Sequence, residues 1–310
     1  MVNSTGSVLG ERLFTAAVTP MHADESVDHT ALSAMLDGDI RRGVEGLYVC
    51  GSSGEGVLLS EAERIAVAET AVAASAGRVP VVAHVGAMST GEAIRIAAAA
   101  KDAGVGAISM IPPLYYGYST PDVVRHFRAV IDAVDLPFVL YNIPQFTGRD
   151  ISEGGFDELL ALPQVVGVKH TSRNLYGAER IIRRYPEVTL VNGFDEFYLP
   201  ALSIGARGAI GTTVSLQIEL FLSLRRRFAA GDLDGARAVQ VRINDTVEGM
   251  VEVGVFGAAK YLGGRLSVPL GDCRAPLPAL DADGCARLDD VFARLHEHIA
   301  VTAEEDARAA

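Results

Sequence analysis

A chain of 310 residues, 49% hydrophobic and 21% charged, is long enough to bury one large core and has the composition of an ordinary globular protein. Its net charge of −12 argues against nucleic-acid and anionic-membrane partners, which need basic patches, so an anionic ligand must be caught by local donors. The three cysteines, Cys50, Cys273 and Cys285, are scattered without disulfide-framework or zinc spacing, and "MVNSTGSVLGERL" lacks the basic start and apolar run of a signal peptide. No stretch reads as a membrane span, and a reducing cytoplasm is the expected location.

Short apolar runs then alternate with longer amphipathic segments. In chain order the predicted strands are "LFTAAVTP", "GLYVCG", "VPVVAHVG", "GAISMIPP", "LPFVLYNIP", "VVGVKHT", "VTLVNGF" and "ARGAIGTT", each bounded by Gly or Pro. Helix-like stretches such as "LSEAERIAVAETAVAASAG" and "STGEAIRIAAAAKDAG" separate them, opening on Ser or Thr and ending at Gly. About eight such strand-helix units before residue 230 have the rhythm of a closed (β/α)₈ TIM barrel over residues 10–230. An open doubly wound sheet is the alternative, disfavoured because no G-x-G-x-x-G turn follows the first strand. Beyond residue 230 the strand runs stop, and residues 231–310 read as a C-terminal helical extension packed on the barrel.

In a barrel of this kind the active site lies at the C-terminal ends of the strands. "GSSGE" follows the second strand, where Ser52, Ser53 and exposed N–H groups at the start of the next helix would make a donor cluster for a carboxylate; an ordinary cap and turn is the plainer reading. "LYNIP" places Tyr141 at the end of the fifth strand, where a merely satisfied buried tyrosine is the alternative. "NGFDE" brings Gly193, Asp195 and Glu196 to the end of the seventh.

Lys169 interrupts the otherwise apolar run "VVGVKHTS". A strand-terminal lysine commonly extends its ammonium to water, whereas one held in an apolar site loses its proton more readily and attacks carbonyls. Period-two alternation puts Lys169 and Thr171 on one face and His170 on the other, which assigns His170 to packing. Together these residues suggest carbonyl chemistry in which a lysine attacks a ketone, a donor loop fixes a carboxylate and a tyrosine moves protons.

"GSSGEGVLLSEAER", "PPLYYGYS", "YNIPQFTG", "GVKHTS", "NGFDE" and "GARGAIGTT", in this order and spacing, resemble the dihydrodipicolinate synthase and N-acetylneuraminate lyase superfamily over nearly the whole chain. The resemblance implies that Lys169 forms a Schiff base with the keto carbon of pyruvate or a longer 2-keto acid, with no other cofactor and no metal. It implies that Tyr141 relays the proton of the aldol hydroxyl, that Ser52 and Ser53 hold the carboxylate, and that Tyr115 completes a hydroxyl relay in a neighbouring subunit of a homotetramer.

Within the superfamily the lyases are the nearer match. Phe146 stands where the synthases usually carry an arginine, and a phenyl ring cannot make the bidentate contact a guanidinium makes with a carboxylate. By resemblance, Gly193, Asp195 and Glu196 would bind the hydroxylated tail of a sugar acid, with Thr171 and Thr212 contacting the chain nearer the reacting centre. Ser53 stands where the lyases often have threonine, and Thr212 where they usually have serine. The expected reaction is cleavage of N-acetylneuraminate to N-acetylmannosamine and pyruvate, with an aldolase or dehydratase of a shorter 2-keto-3-deoxy sugar acid as the alternative. Two other classes compete. A metal-dependent aldolase needs clustered ligands, and of seven histidines only His84 falls near a strand end. A non-catalytic relative would bind ligand without turnover.

Overall fold

The computed structural model describes residues 8–309. Eight parallel strands, β1 (Leu13–Ala16), β2 (Gly46–Val49), β3 (Val81–His84), β4 (Ala107–Met110), β5 (Phe138–Asn142), β6 (Val165–His170), β7 (Thr189–Asn192) and β8 (Gly208–Gly211), follow one another around a closed barrel. Closure is made by β1, where Phe14 is in register with Gly46 of β2 on one side and with Ile210 of β8 on the other. That pairing settles the choice between a barrel and an open sheet.

Helices α1 (His29–Arg42), α2 (Glu61–Ser75), α3 (Thr90–Ala103) and α4 (Thr120–Val134) follow the first four strands. Asp28, Ser60, Ser89 and Ser119 cap them, each accepting a backbone N–H of the first turn, which is why these segments start where they do. Glycine ends α1 and α3 in the left-handed conformation, but α2 ends on Ala76, one residue before the expected Gly77. Short helices α5 (Pro144–Thr147) and α6 (Asp157–Leu160) fill the β5–β6 connection; α7 (Leu175–Arg184), α8 (Tyr198–Ser203) and α9 (Ile218–Ala229) complete the ring.

Alternation along the strands divides the interior into two layers. Leu47, Val49, Val81, Ile108, Leu140, Val168 and Leu190 face outward into the helices, while Phe14, Tyr48, Val82, Val139, Tyr141, Val191 and Ile210 fill the lumen. The C-terminal helices α10 (Leu233–Val253), α11 (Val255–Leu266) and α12 (Ala282–Ala309) share the outer layer, to which they contribute Ala236, Ile243, Met250, Leu262, Leu288 and Leu295. Among the described residues no helix is long and apolar enough to cross a membrane.

Candidate active site

Lys169 and Tyr141 are register partners on neighbouring strands, so their side chains enter the lumen together. Lys169 is 3% exposed, and its Nζ lies 4.1 Å from the centre of the Tyr141 ring and 4.2 Å from that of Tyr48. Among the described residues no carboxylate forms an ion pair with it. The Tyr141 hydroxyl is 3.4 Å from Ser52 Oγ, which links the fifth strand to the loop after β2.

That loop differs from expectation. "GSSGE" does not open a helix: residues 52–58 are consecutive turns, and α2 begins only at Glu61 under the Ser60 cap. The chain doubles back because Cys50 and Glu55 both take positive φ, closing bonds from Glu55 N to Ser52 O and from Gly56 N to Gly51 O. What holds this conformation is a buried ion pair, Lys260 Nζ to Glu55 Oε1 at 2.6 Å, with both side chains almost wholly withdrawn from water. The other Glu55 oxygen accepts from the Arg274 N–H at 2.6 Å, and Lys260 also donates to Asp272 O. At the loop's inner side Ser53 Oγ is 2.6 Å from Thr212 Oγ1, in the loop after β8.

The adjoining wall, after β7, is acidic. Asp195 is buried at the start of a single 3₁₀ turn after β7, and its Oδ2 accepts from both the N–H and the hydroxyl of Thr213. Gln217 Nε2 donates in turn to Thr213 Oγ1, and Gln240 Nε2 of α10 donates to the Asp195 carbonyl while its Oε1 accepts from Leu199 N. Asp195 Oδ1 and Thr171 Oγ1 are buried with no protein partner. Buried polar atoms of this kind are rare unless a ligand or water meets them. Burial pushes the Asp195 carboxyl up to about 6, against the pull of the Thr213 hydrogen bonds and the Lys169 charge, and it also raises Glu196, which is half-buried.

Glycine is required at two places on this wall. A Cβ at Gly193 would lie 1.9 Å from Thr171 Oγ1, and one at Gly211 would lie 1.6 Å from Asp195 Oδ1.

The remaining candidates lie elsewhere. Tyr115 is 87% exposed with a φ of 77° and packs edge-on against Tyr116, so a single chain leaves its side chain in solvent rather than in the lumen with Lys169. Phe146 is exposed on α5. His170 points away from the lumen, its Nδ1 3.2 Å from Asn142 Nδ2. His84 has its Nε2 accepting from Ile111 N and its Nδ1 facing Arg64, and burial pushes it well below its ordinary value. No three His, Cys, Asp or Glu side chains among the described residues are grouped as metal ligands. Sequence reasoning overlooked Tyr48, which reads there as one apolar strand residue, and Gln217 and Gln240, which read as ordinary helix positions; alternation along "GLYVC" was the available signal for Tyr48.

Known proteins share both the sequence and the fold. The chain is 39% identical over 284 residues to the N-acetylneuraminate lyase of Rhizobium meliloti (strain 1021), covering 91% of this chain and 94% of the relative. It is 35% identical over 273 residues to that of Escherichia coli (strain SMS-3-5 / SECEC), covering 87% and 91%. The solved structure of Proteus mirabilis N-acetylneuraminate lyase superposes with a TM-score of 0.86 at 29% identity, covering 92% of this chain and 98% of that one. The profile described as the dihydrodipicolinate synthetase family matches residues 10–294. With a lysine at the heart of a closed barrel and a match running almost end to end, this chain belongs to the dihydrodipicolinate synthetase family of class I aldolases and lyases.

Proposed function

We propose that the protein is an N-acetylneuraminate lyase, cleaving the sugar acid to N-acetylmannosamine and pyruvate through a Schiff base on Lys169. The observation that carries this reading is the pairing of a buried lysine with two unpartnered buried oxygens, Thr171 Oγ1 and Asp195 Oδ1, on the wall beside it. A hydroxyl-rich substrate tail would supply their missing partners. The curated relatives named above support the same substrate.

In this reading Ser52 and Ser53 receive the substrate carboxylate. Lys169 Nζ attacks the C2 ketone, water leaves, and the protonated imine becomes an electron sink. Tyr141, backed by Ser52, takes the C4 hydroxyl proton as the C3–C4 bond breaks, releasing the aldehyde and leaving an enamine. Protonation at C3 and hydrolysis return pyruvate and the free lysine. Gly193, Asp195, Glu196, Thr171 and Thr212 bind the departing sugar. Residues 10–230 carry this chemistry and 231–310 support it, as Lys260 and Gln240 do. Tyr115, exposed in the single chain, serves a neighbouring protomer of a homotetramer. The free thiols of Cys50, Cys273 and Cys285 suit a reducing cytoplasm.

Pyruvate release from N-acetylneuraminate by wild type and by Lys169→Ala tests the reading. Turnover on the order of 1 to 10³ per second, abolished in the variant, is the expected result. No release by the wild type would replace this substrate with a shorter 2-keto-3-deoxy sugar acid or a dehydration.

A further inference from the structure

Tyr48 lies in the lumen with no assigned part in the chemistry. Its ring is fully buried and is pinned by its own hydroxyl, which donates to Ser109 Oγ at 3.1 Å; Ser109 Oγ donates onward to Val139 O at 2.9 Å. The hydroxyl is therefore committed to β4, and burial pushes it well above its ordinary value, so it remains a neutral phenol. What Tyr48 presents to Lys169 is a ring, 4.2 Å from Nζ, set edge-on at 84° to the Tyr141 ring, which lies 4.1 Å from the same atom. Among the described residues, two aromatic rings and no ion-paired carboxylate surround the nitrogen on which the proposed reaction takes place.

We propose that Tyr48 stabilises the positively charged iminium on Lys169 through the π-face of its ring. Ring faces carry the negative end of an aromatic quadrupole and attract cations, more strongly where water is excluded. The inference rests on the Schiff-base reading above.

Atoms and charge decide where the effect appears. Starting from the neutral amine, Nζ bonds to the keto carbon, the C=O bond breaks, and the oxygen leaves as water with one proton from Nζ and one from solution. The nitrogen keeps one proton and gains a positive charge in front of the rings. Starting from the ammonium, two of the three Nζ protons leave with the oxygen, and the charge facing the rings is the same before and after. Weakening the ring quadrupole therefore weakens iminium formation at high pH, where the free lysine is the amine, and leaves it unaltered at low pH. A packing defect would disturb both ends of the pH range alike.

The test places phenylalanine and then mono-, di- and trifluorophenylalanine at position 48. For each variant, the pyruvate concentration giving half-maximal borohydride labelling of Lys169 is measured across pH. The expected result is a stepwise rise with fluorination at the alkaline end, totalling roughly threefold to thirtyfold, with no trend at the acid end. Labelling of wild-type Lys169 with no fluorination trend at either end overturns the role of Tyr48 alone, as does a trend of equal size at both ends. Absence of label on wild-type Lys169 overturns the Schiff-base reading, and this inference with it.

Discussion

Ser53 Oγ and Thr212 Oγ1 lie 2.6 Å apart although 159 residues separate them in the chain, joining the loop after β2 to the loop after β8. The resemblance to the lyases shows serine where threonine is frequent and threonine where serine is usual, and the two positions touch. At this contact the methyl sits on Thr212 and residue 53 has none, with the hydroxyl pair in place.

That relationship predicts non-additivity. Ser53→Thr alone crowds a packed contact, at a cost of about 1–3 kcal/mol, and should raise KM about tenfold. Thr212→Ser added to it should recover most of the loss. A double-mutant cycle on kcat/KM measures this, and strictly additive effects would show that the two side chains do not act as a pair.

The clamp under the "GSSGE" loop should be sensitive to removal of one partner. Lys260→Met leaves the Glu55 carboxylate buried without its counter-charge and should destabilise the protein by about 3–5 kcal/mol. Glu55→Gln combined with Lys260→Met should be much less destabilised, because no uncompensated charge remains. Urea denaturation of wild type and the two variants checks this; equal losses in the single and double variants would contradict it.

If Asp195 binds substrate as proposed above, its raised carboxyl should make affinity depend on pH. With its carboxyl raised to about 6, the acceptor is mostly ionised at pH 7 and protonated below about 6. KM for N-acetylneuraminate should therefore rise as pH falls through about 6. Asp195→Asn should lack that rise and carry a KM raised roughly tenfold to a hundredfold throughout, the loss expected for a charged hydrogen-bond partner. The pH profile of KM for both proteins is the measurement, and an unchanged rise in Asp195→Asn would assign the titration to another group.

Asp39 on α1 offers a stability test away from the chemistry. Burial pushes its carboxyl up to about 7 from an ordinary value of 3.8, with Arg42 pulling weakly the other way. Because the folded value exceeds the unfolded one, the folded state holds the extra proton between these limits. The ionised side chain thus costs stability that grows as pH rises from about 4 and is complete above about 7. Asp39→Asn avoids the cost, so its thermal midpoint relative to wild type should climb between pH 5 and 8. The gain above about pH 7 should be on the order of a few kcal/mol. A pH-independent difference would contradict burial of the charge.

Much of this protein was legible without coordinates because the signals are local. Strand and helix periods, serine caps and glycine stops encode the alternation of a barrel, and period two alone places Lys169 and Thr171 on a common face. The expected helix start at "GSSGE" was wrong for a tertiary reason: Glu55 is drawn inward to Lys260 on α11, and the loop folds into turns around that pair.

Closure of β1 on β8, the ring face of Tyr48 against Lys169, the hold of Gln240 on Asp195 and the contact of Ser53 with Thr212 were decided only by the tertiary structure. Each joins segments far apart in the chain. A residue's local pattern determines which face it presents, but which distant side chain it meets there depends on where the barrel closes and how the C-terminal helices pack.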